Sequence, residues 1–300
     1  MLTKKQVIDG LIDLGLEAGD TVIVHSSLRS FGEVDGGADT VIDAILETIG
    51  PDGTLVVPTF NYDPGVFDPA ATPSVVGMIT EAVRIRPEAI RSSHPTHSVA
   101  AIGRLAEQIT EDHDRVEAFA RNSALHKAAR VGGKILQLGV TQTSNSSIHV
   151  AEELAQVPYL DKQRRVGIKL RSGKVVHKWV RRPGCSQGFE AIDELLYEQD
   201  AIKETIIGRC KARLMGARAV IEVAVDMLRA DPAALLCDRP ECGACAESRA
   251  MIDATASEEE ERRLTEMAEE EERIRRQTEE KLAGRVNFYE IDGQDRSSSN

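Results

Sequence analysis

The chain has 300 residues, a formal charge of −12 at pH 7 and 41% hydrophobic residues, enough for one large domain or two modest ones with a sizeable core. The acidic balance argues against a nucleic-acid partner, which usually meets a basic face, and fits a cationic one. No apolar run reaches the roughly eighteen residues of a membrane span, and the amphipathic start lacks the apolar core and cleavage site of a signal peptide. A cytoplasmic protein with no membrane partner is therefore expected, and its odd count of 5 cysteines argues against a disulfide framework.

Thr3 is placed to cap a helix with apolar positions Val7, Ile8, Leu11, Ile12 and Leu14. "TVIV" (21–24) reads as a buried strand, 38–49 as a helix and "GTLVVPTF" (53–60) as a second buried strand. A helix at 72–86, a strand at 97–103, a helix at 123–131 and a strand at 134–140 follow. Residues 145–156 read as a helix capped by Ser146 or Ser147. Continuously apolar strands alternating with helices predict an α/β fold, a central mostly parallel sheet covered by helices on both faces.

After Pro158 the pattern changes. Two strands around "SGK" read as a hairpin over 165–182, and helices are expected at about 187–199 and 205–229, giving a small β-hairpin and helical C-terminal portion. The expected organisation is an α/β domain at 1–250 and, at 251–300, a charged helical extension with a disordered tail. The apolar stripe of the 257–285 helix (Leu264, Met267, Ile274) is too sparse for a coiled coil. A solvated appendage, a strut for a homodimer and a partner helix all stay open.

Ligands of open parallel sheets bind beyond the carboxyl ends of the strands, and four segments there carry unusual polar residues. The first is His25-Ser26-Ser27, followed by Arg29 and by Gly36-Gly37 at the start of a helix. Such a helix start attracts anions, and glycine lets a phosphate come close; a plain tight turn fits equally. The second is Thr59 with Asn61, Tyr62 and Asp63 beyond it. The third is "RSSHPTHS" (91–98), where a structural hydrogen bond suits His94 or His97 better than a metal, no acid being spaced to help. The fourth is "TSNSSIHVAEE", whose helix presents His149 with Glu152 three residues on and Glu153 as the alternative partner. A carboxylate beside an imidazole fixes its tautomer and stabilises the imidazolium, which makes a general base; a solvated face with an incidental histidine is the rival reading.

"CDRPECGAC" holds Cys237, Cys242 and Cys245 at C-x4-C-x2-C spacing. Zinc wants four ligands, and Cys185 or Cys210 would have to complete the set. Without a second C-x-x-C pair a structural zinc is not favoured, and no metal ligand is assigned.

The blocks "VIVHSSLRSFGEVDGGADTVIDAIL", "GPDGTLVVPTF", "FDPAATPSVVGMITEAVR", "RSSHPTHSVAAIG", "GGKILQLGV" and "NSSIHVAEE" occur in order over about 2–160 and resemble the aminoglycoside 3-N-acetyltransferase family, antibiotic N-acetyltransferases that lack the GNAT fold. A weaker match continues to about 250. The resemblance implies acetyl-CoA as co-substrate and an amine of a cationic aminocyclitol antibiotic as acceptor. It makes His149 the general base and Glu152 its orienting acid. It puts Ser26 and Ser27 beside pantetheine and thioester, and Gly36, Gly37 and Ser98 along the same cleft. Arg29 is added on charge grounds as a diphosphate contact. A non-catalytic scaffold with a Cys-cluster zinc, and a thioester hydrolase in the same pocket, are the competing functions.

Overall fold

The computed structural model describes residues 1–292 except Pro64 and Arg171; residues 293–300, where a disordered tail is expected, lie outside the described residues. The chain forms two compact units, Met1–Arg249 and a second beginning at Ala250. The first opens with helix α1 (Lys4–Leu14), strand β1 (Thr21–Ser26), α2 (Gly37–Ile49), β2 (Thr54–Pro58), β3 (Val66–Phe67), α3 (Met78–Arg84), β4 (Ile90–Arg91) and β5 (Val99–Gly103). It continues with α4 (Ala106–Thr110), α5 (Ala124–Arg130), β6 (Lys134–Leu138), α6 (Ile148–Ala155), β7 (Gln163–Lys169) and β8 (Val175–Arg181). It ends on α7 (Asp193–Glu198), β9 (Ile202–Ile207), β10 (Cys210–Gly216) and α8 (Ala217–Ala230). A last helix, α9 (Gly243–Asp292), begins in the first unit and makes up the described part of the second. Among the described residues no helix is long and apolar enough to cross a membrane.

Seven strands form one sheet in the order β4-β5-β2-β1-β6-β10-β9. Its centre, β2-β1-β6, is parallel. Its flanks are antiparallel, β5 and β4 on one side, β10 and β9 on the other. The α/β reading stands. The helix expected over 205–229 does not: its first half is the β9–β10 hairpin, and only 217–230 is helical. Gly208, at φ 62°, makes the two-residue turn between Ile207 and Cys210. The helix expected at 72–86 is likewise confined to Met78–Arg84, because Gly77 enters it at φ 147° and Val75 N–H is held by the Phe60 carbonyl. The hairpin expected at 165–182 is β7–β8, which joins β3 in a second, three-stranded sheet.

Alternation along the strands sorts side chains to two faces. Val22 and Val24 of β1 join Val7, Leu11, Ile42 and Ile45 in one apolar core under α1 and α2. Each such fully buried aliphatic chain contributes roughly 1.5–3 kcal/mol. Ile23 and His25 face the other way, the side on which α8 packs against β6 and carries α5 and α6. The parallel centre brings the ends of β1 and β6 together, with Ser26 opposite Leu138. Gly139 follows at φ 69°, where a Cβ would lie 1.9 Å from Ser30 Oγ. Only glycine lets the turn after β1 and the turn after β6 share this edge.

Candidate active site

Over the carboxyl ends of β1, β2 and β6 lies a cleft of about 610 Å³. His25 and Ser26 from β1, Pro58 at the end of β2 with Phe60 just beyond it, and residues 143–146 after β6 line it. Phe119, His149, Arg164 and 181–187 also line it.

A ladder of buried polar groups fixes the segment that carries His149. Gln137 Nε2 donates to Gln142 Oε1 at 3.1 Å, and Asn145 Nδ2 donates to the same oxygen at 2.8 Å. Gln142 Nε2 in turn donates to Asp193, which pairs with the buried Arg213 at 2.8 Å. Asn145 Oδ1 then accepts the Ser147 N–H at 3.1 Å. Asn145, not a serine, therefore organises the start of α6: Ser147 sits at the cap position without a capping bond, its hydroxyl buried and unpartnered. His149, the second residue of α6, follows and lines the cleft.

His149 Nδ1 lies 2.6 Å from Glu152 Oε2, the pairing expected from three-residue spacing. Glu152 is only 1% exposed, and its second oxygen accepts the Tyr159 hydroxyl at 3.3 Å. Burial and that carboxylate push the Tyr159 phenol pKa well up, so it stays a donor. Glu153 turns aside to Arg181 at 2.8 Å, while burial raises its own pKa. The imidazole is held between Phe119, centroids 5.0 Å apart, and Phe189 at 4.8 Å edge-on. With Nδ1 bound to the carboxylate, Nε2 is the nitrogen left for a reactant.

Of the other residues singled out from sequence, Ser26 lines the cleft, whereas Ser27, Arg29, Gly36, Gly37 and Ser98 do not. Ser98 is buried, its hydroxyl donating to the Thr59 carbonyl and accepting from Arg91 Nε, both at 3.0 Å. Arg91 also donates to the Thr59 and Thr72 carbonyls. Ser98 thus braces the β2–β5 edge from behind. Gly36 and Gly37, at φ 75° and 62°, open the long helix α2, and Arg29 is exposed on the turn after β1.

The structure adds residues that spacing did not reveal. His25 lines the cleft with Nε2 buried and unpartnered, and burial pushes its pKa down to about 4. His97 lines it too, packed edge-on to Phe60 at 4.8 Å. Arg164, Arg181 and Arg182 bring three guanidinium groups to one wall, and no lining residue is acidic among the described residues. Burial lowers the Arg164 pKa, with Asp63 pulling the other way. Arg181 and Arg182 end the segment read as an exposed hairpin, 165–182, and Arg164 stands just before it, so their basic character was assigned to solvent.

A carboxylate-held imidazole in the wall of a cleft, at the polar end of parallel strands, equips an enzyme that takes a proton from a bound nucleophile. The family model described as aminoglycoside 3-N-acetyltransferase matches residues 23–229. Aminoglycoside N(3)-acetyltransferase IV of Salmonella sp is 34% identical over 233 residues, 76% of this chain and 88% of that protein. Among solved structures, a histidine-to-alanine mutant of aminoglycoside acetyltransferase AAC(3)-IVa in complex with gentamicin has a TM-score of 0.77 and 33% identity, with 84% of this chain and 98% of that one covered. A binary complex of AAC-IIIb with CoASH has a TM-score of 0.69 and 26% identity, covering 76% and 96%. The chain belongs to the aminoglycoside 3-N-acetyltransferase family and is an acyltransferase, which sets aside the non-catalytic scaffold.

Proposed function

We propose that the chain moves the acetyl group of acetyl-CoA directly to an amine of an aminoglycoside-like acceptor, with His149 as general base and Glu152 as its orienting acid. The 2.6 Å contact between the two, in the wall of the cleft, is the observation that carries this reading. The acceptor amine attacks the thioester carbon as His149 Nε2 takes its proton. The C–N bond forms, the C–S bond breaks, and the proton returns from the imidazolium to the departing thiolate. Glu152 stabilises the imidazolium in between, and the Tyr159 hydroxyl keeps the carboxylate turned toward it. The aromatic rings on either side hold the base in place, so less orientational entropy is lost on reaching the transition state.

The remaining assignments rest on the same reading. Ser26, which lines the cleft, is assigned to the thioester arm, whereas Ser27, Arg29, Gly36 and Gly37 stand outside its lining and leave the phosphates to the arginine wall. Ser98 supports the rim rather than touching the co-substrate. A related structure that holds CoASH, and another that holds gentamicin in a histidine-to-alanine mutant, support a coenzyme A donor, an aminoglycoside acceptor and a histidine at the chemistry. A panel of aminoglycosides and simpler amines, followed by thiol release from acetyl-CoA, tests the proposal. Release is expected only when a competent amine is present. Equal release without any amine would make the chain a thioester hydrolase.

The arginine wall has its own consequence. It attracts the phosphates of the donor and favours the neutral, attacking form of an acceptor amine. Arg164→Ala with Arg182→Ala is expected to raise the KM for acetyl-CoA about tenfold, ~1.4 kcal/mol of binding, with little change in kcat. Steady-state kinetics at low and high salt check this. If the acceptor KM falls instead and the acetyl-CoA KM is unmoved, the wall belongs to the acceptor.

A further inference from the structure

Four cysteines that the reaction does not use meet at one place. Cys185 follows β8 and lines the cleft. Cys237 and Cys242 lie between α8 and α9, and Cys245 is in the first turn of α9. Their four Sγ atoms all lie within 4.8 Å of one another. Cys237 is 3.5 Å from Cys245 and 3.9 Å from Cys185. All four thiols are free. Zinc bound tetrahedrally by thiolates at about 2.3 Å sets neighbouring sulfurs about 3.8 Å apart, the edge of that tetrahedron. The two spacings lie on either side of that value. The ligand that C-x4-C-x2-C lacks is supplied from the cleft wall, 52 residues before Cys237.

The backbone around the cluster is drawn equally tight. A Cβ on Gly188 would lie 2.5 Å from the Leu235 carbonyl oxygen and 2.7 Å from the Cys237 nitrogen, so the two segments meet main chain to main chain. The Gln187 N–H points at Cys185 Sγ from 3.4 Å, the kind of outer contact that steadies a metal-bound thiolate. Arg249 donates to the Cys237 carbonyl at 3.1 Å and fixes the far side.

We propose that Cys185, Cys237, Cys242 and Cys245 bind one structural zinc ion, which pins the 183–188 wall of the cleft to the segment before α9. The four thiols lose their protons as the ion binds, and nothing is oxidised or reduced. Four thiolates close the coordination sphere and leave no position for water or substrate, so the ion shapes the cleft and takes no part in acetyl transfer. The proposal stands whether or not the acyl-transfer reading holds.

The test uses the full chain expressed with zinc in the medium, with metal content read by elemental mass spectrometry. About one zinc per chain is expected, with release by a thiol-modifying mercurial. Cys242→Ser and Cys185→Ser are expected to lose zinc to a chelator at least about tenfold faster and to melt about 5 °C lower or more. Cys210→Ser, outside the cluster, keeps its zinc. Should the cluster variants fail to fold, cobalt-loaded wild type gives a second reading: the intense visible bands of a tetrahedral, all-thiolate site. A folded wild-type chain with less than about one metal per ten chains, with disulfides among these four cysteines, or with iron in place of zinc overturns the proposal.

Discussion

His149→Ala is expected to lower kcat for acetyl transfer by about 10²–10⁴-fold, the usual contribution of a positioned general base, with the KM for acetyl-CoA changed less than threefold, about 0.6 kcal/mol. Glu152→Gln is the sharper test, because it keeps shape and removes charge. Tyr159 donates to one oxygen of Glu152, and His149 Nδ1 meets the other. In the variant the single amide oxygen is claimed by Tyr159, which turns the amide N–H₂ toward His149. Nδ1 must then accept, and the proton moves to Nε2, the nitrogen that should receive the substrate proton. A wrong tautomer of this kind costs about as much as losing the base. Glu152→Gln should therefore fall to within about tenfold of His149→Ala. Adding Tyr159→Phe frees the amide to turn back, and should recover part of the rate. Stopped-time thiol assays across pH 6–9 separate the effects. Glu152→Gln turning over within threefold of wild type would remove the orienting role, and normal turnover by His149→Ala would remove the base.

Why this pair was legible, and its surroundings were not, follows from distance along the chain. His149 and Glu152 are neighbours on one helix, so the 3.6-residue period alone places them together. Tyr159 is seven residues away and beyond the helix. Phe119 and Phe189 come from segments that no local period connects to α6. Asn145 was overlooked as the organiser of α6 because Ser146 and Ser147 satisfy the same cap preference, and its Oδ1 wins only because Gln142 anchors its amide. The β9–β10 hairpin was read as helix because short apolar runs such as "IKETII" fit either period, and a single glycine marks the turn. The cysteine cluster shows the same limit: three ligands stand close in sequence, while the fourth is brought in by the fold. The alternating strands and helices of the first half, by contrast, carry enough repeated pattern to define the α/β core directly.

Stability is expected to fall steeply between pH 6.5 and pH 4, because four histidines are buried in neutral form. Burial pushes the pKa of His25 and of His113 from 6.5 down to about 4, and moves His94 and His97 the same way. The hydrogen bonds explain why these rings resist a second proton. His94 Nδ1 accepts the backbone N–H of both Thr96 and His97, at 3.4 and 3.0 Å, and a proton there would break both. His113 Nε2 donates to the Ala118 carbonyl at 3.1 Å, leaving Nδ1 to accept from Ser92. The Ser92 hydroxyl already accepts the Val99 N–H at 2.9 Å, so it is the natural donor to the ring. Unfolded histidines take up protons as pH falls through 6.5, while the folded ones wait until about 4. The unfolded state therefore binds more protons throughout that window, and stability declines as pH drops; above it the full stability is present. His25 and His113 each contribute roughly 3 kcal/mol across the window, against the ~5–15 kcal/mol that holds a typical domain together. Urea unfolding at pH 7 and pH 5 should show a loss of several kcal/mol. His113→Gln keeps a donor to the Ala118 carbonyl and cannot titrate, so its slope of stability against pH should be shallower by about one proton, ~1.4 kcal/mol per pH unit. Equal stability at pH 7 and pH 5 in wild type would mean that these rings reach water and charge without unfolding. The same burial that makes the fold acid-sensitive keeps His25 and His97 uncharged where they line the cleft, so neither competes with His149 for the acceptor's proton at neutral pH.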